Sequence, residues 1–254
     1  DLKSTPVETV SKGSTYEATA GYYLIKDKDG SVTGNDVYTT YIVRVVEDVT
    51  IKSKSDVPSF EKKIKDTNDT TGITSVWQDS ADYDIGDQVP FKLEGTVASN
   101  YEDYKTYYFA FHDIEEKGLT FDPTSVKVYV ENANGTTEIA KDTSLYTVNY
   151  TENAKLADGC TFEVVFNNLK DITSVTAGSK IRVEYTSLLN ESAVLGNEGN
   201  VNKAKLEFSN NPNSDQTGKP DKPGETPWDN VIVFTYQVVV NKYANSVSDT
   251  NKLT

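Results

Sequence analysis

Apolar and polar residues alternate one for one through short segments along most of the chain, and no long stretch repeats at a helical period. The clearest are "GYYLIKD", "VYTTYIVRVV", "SFEKKIK", "QVPFKLEGTV", "KTYYFAFHD", "SVKVYVEN", "LYTVNY", "CTFEVVF", "KIRVEYTSL", "NKAKLEFS" and "VIVFTYQVVVNKY". Gly, Asn, Asp and Pro fill the gaps, as turns between paired strands require. Tyr and Phe are plentiful (16 and 9) and Met is absent, a β-favouring composition. Many short strands bounded by turns predict an all-β chain built as an antiparallel β-sandwich.

The punctuation divides the chain. Residues 1–56 hold too few strands for a complete sandwich and read as the C-terminal part of an N-terminal domain. Residues 57–236 form the largest unit, opening at Pro58, whose predecessor is biased to extended geometry. Within it, "NNPNSDQTGKPDKPGETP" (210–227) is polar and rich in Pro and Gly, an exposed loop rather than core. Residues 237–254 read as a first strand leading into a truncated next domain.

Charge narrows function. A net charge of −14 argues against nucleic acid or an anionic membrane as partner, and no apolar run approaches the roughly 20 residues of a spanning helix. The opening "DLKSTPVETV" carries no leader, so any signal peptide is expected to have been removed. A single Cys, Cys160, excludes an internal disulfide framework. It shares parity with Phe162, Val164 and Phe166 and is expected as a small buried hydrophobe. With one His and one Cys, a zinc site of the usual kind is short of ligands; no metal or cofactor is expected.

Three strands break the alternation. Between Phe60 and Ile64, on their own face, stands Lys62. After Tyr107, Phe109 and Phe111 the same face carries Asp113. Before Ala204, Leu206 and Phe208 it carries Asn202. Each has an ordinary reading alone: a lysine that snorkels out, a carboxyl that caps a turn, an amide that satisfies backbone. Together they place an amine, a carboxyl and a carboxamide on faces that otherwise read as core. Neighbouring Lys63 lies on the outward parity with Glu61 and Lys65.

The ordered stretches "VPSFEKKIKD", "YDIGDQVPFKLEGTV", "YYFAFHDIEEKGLTF", "LLNESAVLGNEGNVNKAKLEFSNNP" and "VFTYQVVVNK" resemble the backbone (major) pilins of Gram-positive, sortase-assembled pili, in particular their fimbrial isopeptide-forming domain. The likeness covers about residues 57–242 and implies an Ig-like, CNA-type sandwich, with partial strands of a preceding and a following domain. It implies that an early-strand Lys and a late-strand Asn are joined by an intramolecular amide with an Asp as catalyst, roles that map onto Lys62, Asn202 and Asp113. Such a protein is a structural shaft subunit, not an enzyme. It is extracellular and anchored to the cell wall through a C-terminal sorting signal that this sequence does not contain. Its partners are neighbouring pilin subunits and a pilus-specific sortase, with a host surface ligand left open. The family's acceptor lysine lies near the end of the first domain in a Tyr-Pro-Lys context; the matching "DVTIKSKSDVP" has neither Tyr nor Pro, and Lys54 aligns best, with Lys52 the alternative. Lys242 would open the next domain and stay unbonded, and "YEATAGYYLI" faintly nominates Glu17 for a second bond in the first.

Other readings are weaker. "DKDGSVTGND" (27–36) has calcium-like Asp spacing but lacks the closing Glu, and reads better as a hairpin turn. No nucleophile elbow or phosphate loop is present, and His112 faces away from Asp113. The alternative function is a surface module binding carbohydrate or a host ligand, using Trp77, Trp228 and the tyrosines of 101–108 as exposed aromatics.

Overall fold

The computed structural model describes residues 5–11, 13–32, 37–51, 57–141 and 144–237. Among these, β1 (Gly21–Lys26) and β2 (Thr40–Val45) pair antiparallel as a sheet of their own. The segment between them is fastened by Asp27, whose Oδ2 accepts from Thr39 N and Oγ1, both at 2.8 Å. Then follow β3 (Phe60–Ile64), β4 (Ser80–Asp82), β5 (Gln88–Thr96), β6 (Phe109–Glu115), β7 (Leu119–Phe121), β8 (Lys127–Asn132), β9 (Gly135–Ile139) and β10 (Thr147–Tyr150). The last five are β11 (Phe162–Phe166), β12 (Lys180–Leu189), β13 (Asn200–Phe208), β14 (Gly224–Glu225) and β15 (Asp229–Phe234).

They form two facing sheets. One runs β10, β11, β6, β13, β15, β4, with β14 also on β13; the other runs β3, β5, β12, β8, β9, with β7 also on β12. All pairings are antiparallel except β15 with β4. Alternation does the work the sequence predicts. In β6 and β13, Phe109, Phe111, Leu206 and Phe208 turn inward and are wholly buried, opposite Phe91 and Leu93 of β5. Each such side chain contributes roughly 1.5–3 kcal/mol by leaving water. The sheets approach so closely that a Cβ on Gly95 of β5 would meet Phe109 Cζ at 2.8 Å and Leu206 Cδ2 at 3.1 Å. Only glycine fits there.

Two details differ from the sequence reading. The 210–227 loop is mostly exposed but tethered: Gly224 and Glu225 pair with Phe208 and Glu207 as β14, and Thr226 is buried. Glycine allows this, since a Cβ at 224 would meet the Phe208 ring at 2.4 Å. Secondly, β15 ends at Phe234, short of the long strand expected there; Lys242 lies outside the described residues, as do Lys52 and Lys54. Glu17 is exposed. No described helix is long and apolar enough to cross a membrane.

One feature of the layout positions the site. β3 is the edge of its sheet, and its Lys62 N donates to Asp229 Oδ2 at 2.8 Å, at the start of β15 in the opposite sheet. The first strand of the sandwich therefore leans over the end of the other layer, with its inward side chains aimed at β6 and β13.

Candidate functional site

Lys62 projects from β3 into the core, where it is completely buried. Asp113, at the inward position of β6 after Phe111, and Asn202, on β13, are equally buried. Both come from the facing sheet, on strands that pair with each other. Lys62 Nζ donates to Asp113 Oδ2 at 2.5 Å. It also donates to the Tyr185 hydroxyl at 2.7 Å. That hydroxyl donates to the same Asp113 oxygen at 2.8 Å and accepts from Asn202 Nδ2 at 2.9 Å. The structure thus brings together the three residues singled out by strand parity, around one phenolic oxygen. Lys63 points outward to Asp79 at 2.5 Å.

Two further participants escaped the sequence reading. Tyr185, on β12, is held by Phe91 (stacked, centroids 5.3 Å apart) and Phe162 (edge-on, 4.8 Å). Glu115 follows Asp113 on the inward face of β6, is buried, and its Oε1 accepts from Asn202 Nδ2 at 3.4 Å and from Ser187 Oγ. Glu163 and Glu184 lie apart from this cluster, beside His112 and Arg182 respectively.

The electrostatics favour uncharged groups. Burial pushes the Lys62 amine below its ordinary pKa, against the pull of Asp113. Burial likewise pushes the Asp113 carboxyl up, with Lys62 opposing. Glu115 is raised to about 8, by burial first and by Asp113 second. Tyr185 is raised well above its usual value by burial, so it stays a phenol. Asp113 Oδ1, Glu115 Oε2 and Asn202 Oδ1 are buried with no hydrogen-bond partner, an arrangement costing about 1–3 kcal/mol per orphaned group. A neutral amine, a protonated acid and a carboxamide in a dry pocket are what a condensation to an amide needs.

Glu115 gives the pH dependence a definite sign. With its pKa raised from 4.5 to about 8 by folding, it contributes stability that is complete below 4.5 and lost as pH rises toward 8. Glu115→Gln should therefore flatten the fall in melting temperature between those limits. An unchanged slope in the variant would place its source elsewhere.

The aromatics proposed for ligand binding are mostly unavailable. Tyr101, Tyr104, Tyr107 and Tyr108 are buried, the first three packing on one another within the core. The segment before β6 folds inward, with Tyr107 N donating to Asn168 Oδ1. Trp77 is half-buried under Lys65, and the exposed Trp228 lies beneath Lys203 and Lys205. Cys160 is buried as expected but not among the phenylalanines. β11 begins only at Phe162, and the thiol sits in the preceding turn, 3.7 Å from His112 Nδ1.

Residues 85–212 match the family described as Gram-positive pilin backbone subunit 2, Cna-B-like domain, and the chain belongs to that family. It is 30% identical over 216 residues to the trypsin-resistant surface T6 protein of Streptococcus pyogenes serotype M6; the alignment takes in 78% of this chain and 35% of that protein. It thus spans about a third of that relative. Among solved structures, BcpA, the major pilin subunit of Bacillus cereus, shares the fold with a TM-score of 0.50 at 17% identity, over 85% of this chain and 55% of that one. The C-terminal fragment of the major pilin GBS80 of Streptococcus agalactiae aligns at 22% identity and a TM-score of 0.48, over 71% and 57% of the two chains.

Proposed function

We propose that this chain is part of the shaft subunit of an extracellular, cell-wall-anchored pilus, and that its sandwich locks itself with an amide between Lys62 Nζ and Asn202 Cγ. One observation carries the reading: the Lys62 amine and the Asn202 carboxamide nitrogen, both fully buried, bond to the same Tyr185 hydroxyl at 2.7 and 2.9 Å, with Asp113 2.5 Å from the amine. In the reaction the neutral amine attacks Asn202 Cγ. A C–N bond forms, the Cγ–Nδ2 bond breaks, and ammonia leaves carrying the proton given up by the amine. Asp113, as the neutral acid, donates to the carbonyl oxygen while charge develops there and passes the proton to the departing nitrogen. Tyr185 orients amine and acid. Nothing turns over, so this is self-modification, and it replaces a costly buried amine with a neutral amide.

The intact mass tests it. The folded chain should weigh one ammonia less than its sequence, and a protease digest should contain a branched peptide joining the Lys62 and Asn202 segments. A mass equal to the sequence, or a branch at Lys63, overturns the assignment.

In this reading residues 57–236 are the isopeptide-forming domain, residues 1–56 belong to the one before it, and 237–254 lead into the next. Neighbouring subunits and a pilus-specific sortase are the partners. The acceptor is a lysine at 52–54, Lys54 before Lys52, because it must be accessible and lie between domains, whereas Lys62 is buried. Peptide mapping of sortase-made polymer should find the intersubunit branch there; a branch at a lysine outside 52–54 would refute the placement.

A further inference from the structure

The chain contains one histidine and one cysteine, and the fold sets them side by side. His112 leaves β6 on the face opposite Asp113, at the outer surface of the seven-stranded sheet, yet it is almost fully buried. Its Nδ1 lies 3.7 Å from Cys160 Sγ, 3.0 Å from Asp158 Oδ2 and 3.1 Å from Glu163 Oε1. These atoms come from three places: β6, the turn before β11, and β11 itself, where Glu163 is the cross-strand partner of His112. Each carboxylate spends its second oxygen elsewhere. Asp158 Oδ1 accepts from Cys160 N at 3.0 Å, and Glu163 Oε2 from Asn149 Nδ2 at 3.2 Å. Gly159, at φ 88°, makes the tight turn that lets Asp158 and Cys160 face the same ring.

We propose that His112 Nδ1, Cys160 Sγ and Asp158 Oδ2 form a three-residue site for one divalent transition cation of the zinc type, with solvent in the fourth position. The set mixes nitrogen, sulfur and oxygen donors, which suits that class and not calcium or magnesium. Metal–ligand lengths of about 2.0–2.3 Å in a tetrahedron separate donor atoms by about 3.3–3.6 Å. Nδ1 stands 3.7 Å from Sγ and 3.0 Å from Asp158 Oδ2, and the three donor atoms lie within 4.8 Å of one another, so a small closing movement seats the ion. On the far side of the ring, Glu207 Oε2 lies 3.2 Å from Nε2. Asp158, with its side chain 39% exposed, is the entry point. On binding, the thiol releases its proton to solvent. Counting cysteines and histidines alone argued against a metal; the Asp158 carboxylate supplies the third ligand.

The test uses tag-free protein with cobalt(II) as the probe and zinc(II) as competitor. The expected result is saturation at one equivalent, with visible d–d absorption of a tetrahedral ion and a thiolate-to-cobalt charge-transfer band, both abolished by zinc. Cys160→Ser should lose the charge-transfer band, and Asp158→Asn should weaken zinc binding at least about tenfold. An unchanged circular-dichroism spectrum and thermal melt in each metal-free variant verify that the sandwich still folds. Absence of saturable binding, an octahedral spectrum without the sulfur band, or wild-type affinity in Cys160→Ser would overturn the site and leave a buried histidine ringed by carboxylates.

Discussion

Asp113→Ala is expected to yield a folded protein one ammonia heavier than the wild type and markedly less stable. The amine and the carboxamide remain in place, bonded to Tyr185, but the acid that carries the proton is gone. Closing a loop from residue 62 to residue 202 contributes roughly 5 kcal/mol by the chain-entropy treatment of crosslinks. For a domain of this size that is about 10–20 °C in melting temperature. Loss of the lysine's closest partner adds to the drop. Mass spectrometry and a thermal melt on one sample read both effects. Complete ammonia loss in Asp113→Ala would transfer the role to Glu115, the buried acid that accepts from Asn202 Nδ2.

Lys62→Ala should be more damaging still. It prevents the bond, and it also empties the space of a completely buried long side chain. Truncating a large buried side chain to Ala costs about 2–5 kcal/mol, in addition to the roughly 5 kcal/mol of lost loop closure. Together these approach the whole stability of an ordinary domain, about 5–15 kcal/mol. Lys62→Met retains the apolar stem that packs near Phe91 and Tyr185 and should recover part of the loss while staying unlinked. Equal melting temperatures for Lys62→Ala and Asp113→Ala would show that the amine's packing contributes nothing beyond the bond.

Period-two reading exposed Lys62, Asp113 and Asn202 because a strand has only two faces, and a polar residue on the apolar one is visible in a single line of sequence. Glu115 obeys the same rule, two residues past Asp113, and was passed over only because the apolar run ends at Phe111. Tyr185 is different. On its strand it reads as one more core aromatic beside Val183, and its hydroxyl matters only because β12 and β13 lie in opposed sheets, a relation no local pattern encodes. The short strands β4, β7, β9 and β14 were likewise invisible, being two to five residues long and largely exposed or turn-like. His112 and Cys160 stand 48 positions apart in the chain and meet through the pairing of β6 with β11 and the turn that precedes it.

Joined, Lys62 on β3 and Asn202 on β13 would also set how far a fibre of such subunits can stretch. Tension entering from the N-terminal side would reach Lys62 at the third residue of β3 and cross at once to β13, then leave through β15. Roughly 140 residues between the two anchors would never be drawn out, withholding about 450–500 Å of contour length per subunit. A shaft built this way would behave as a nearly inextensible cord, passing a tug to its anchor instead of absorbing it by unravelling.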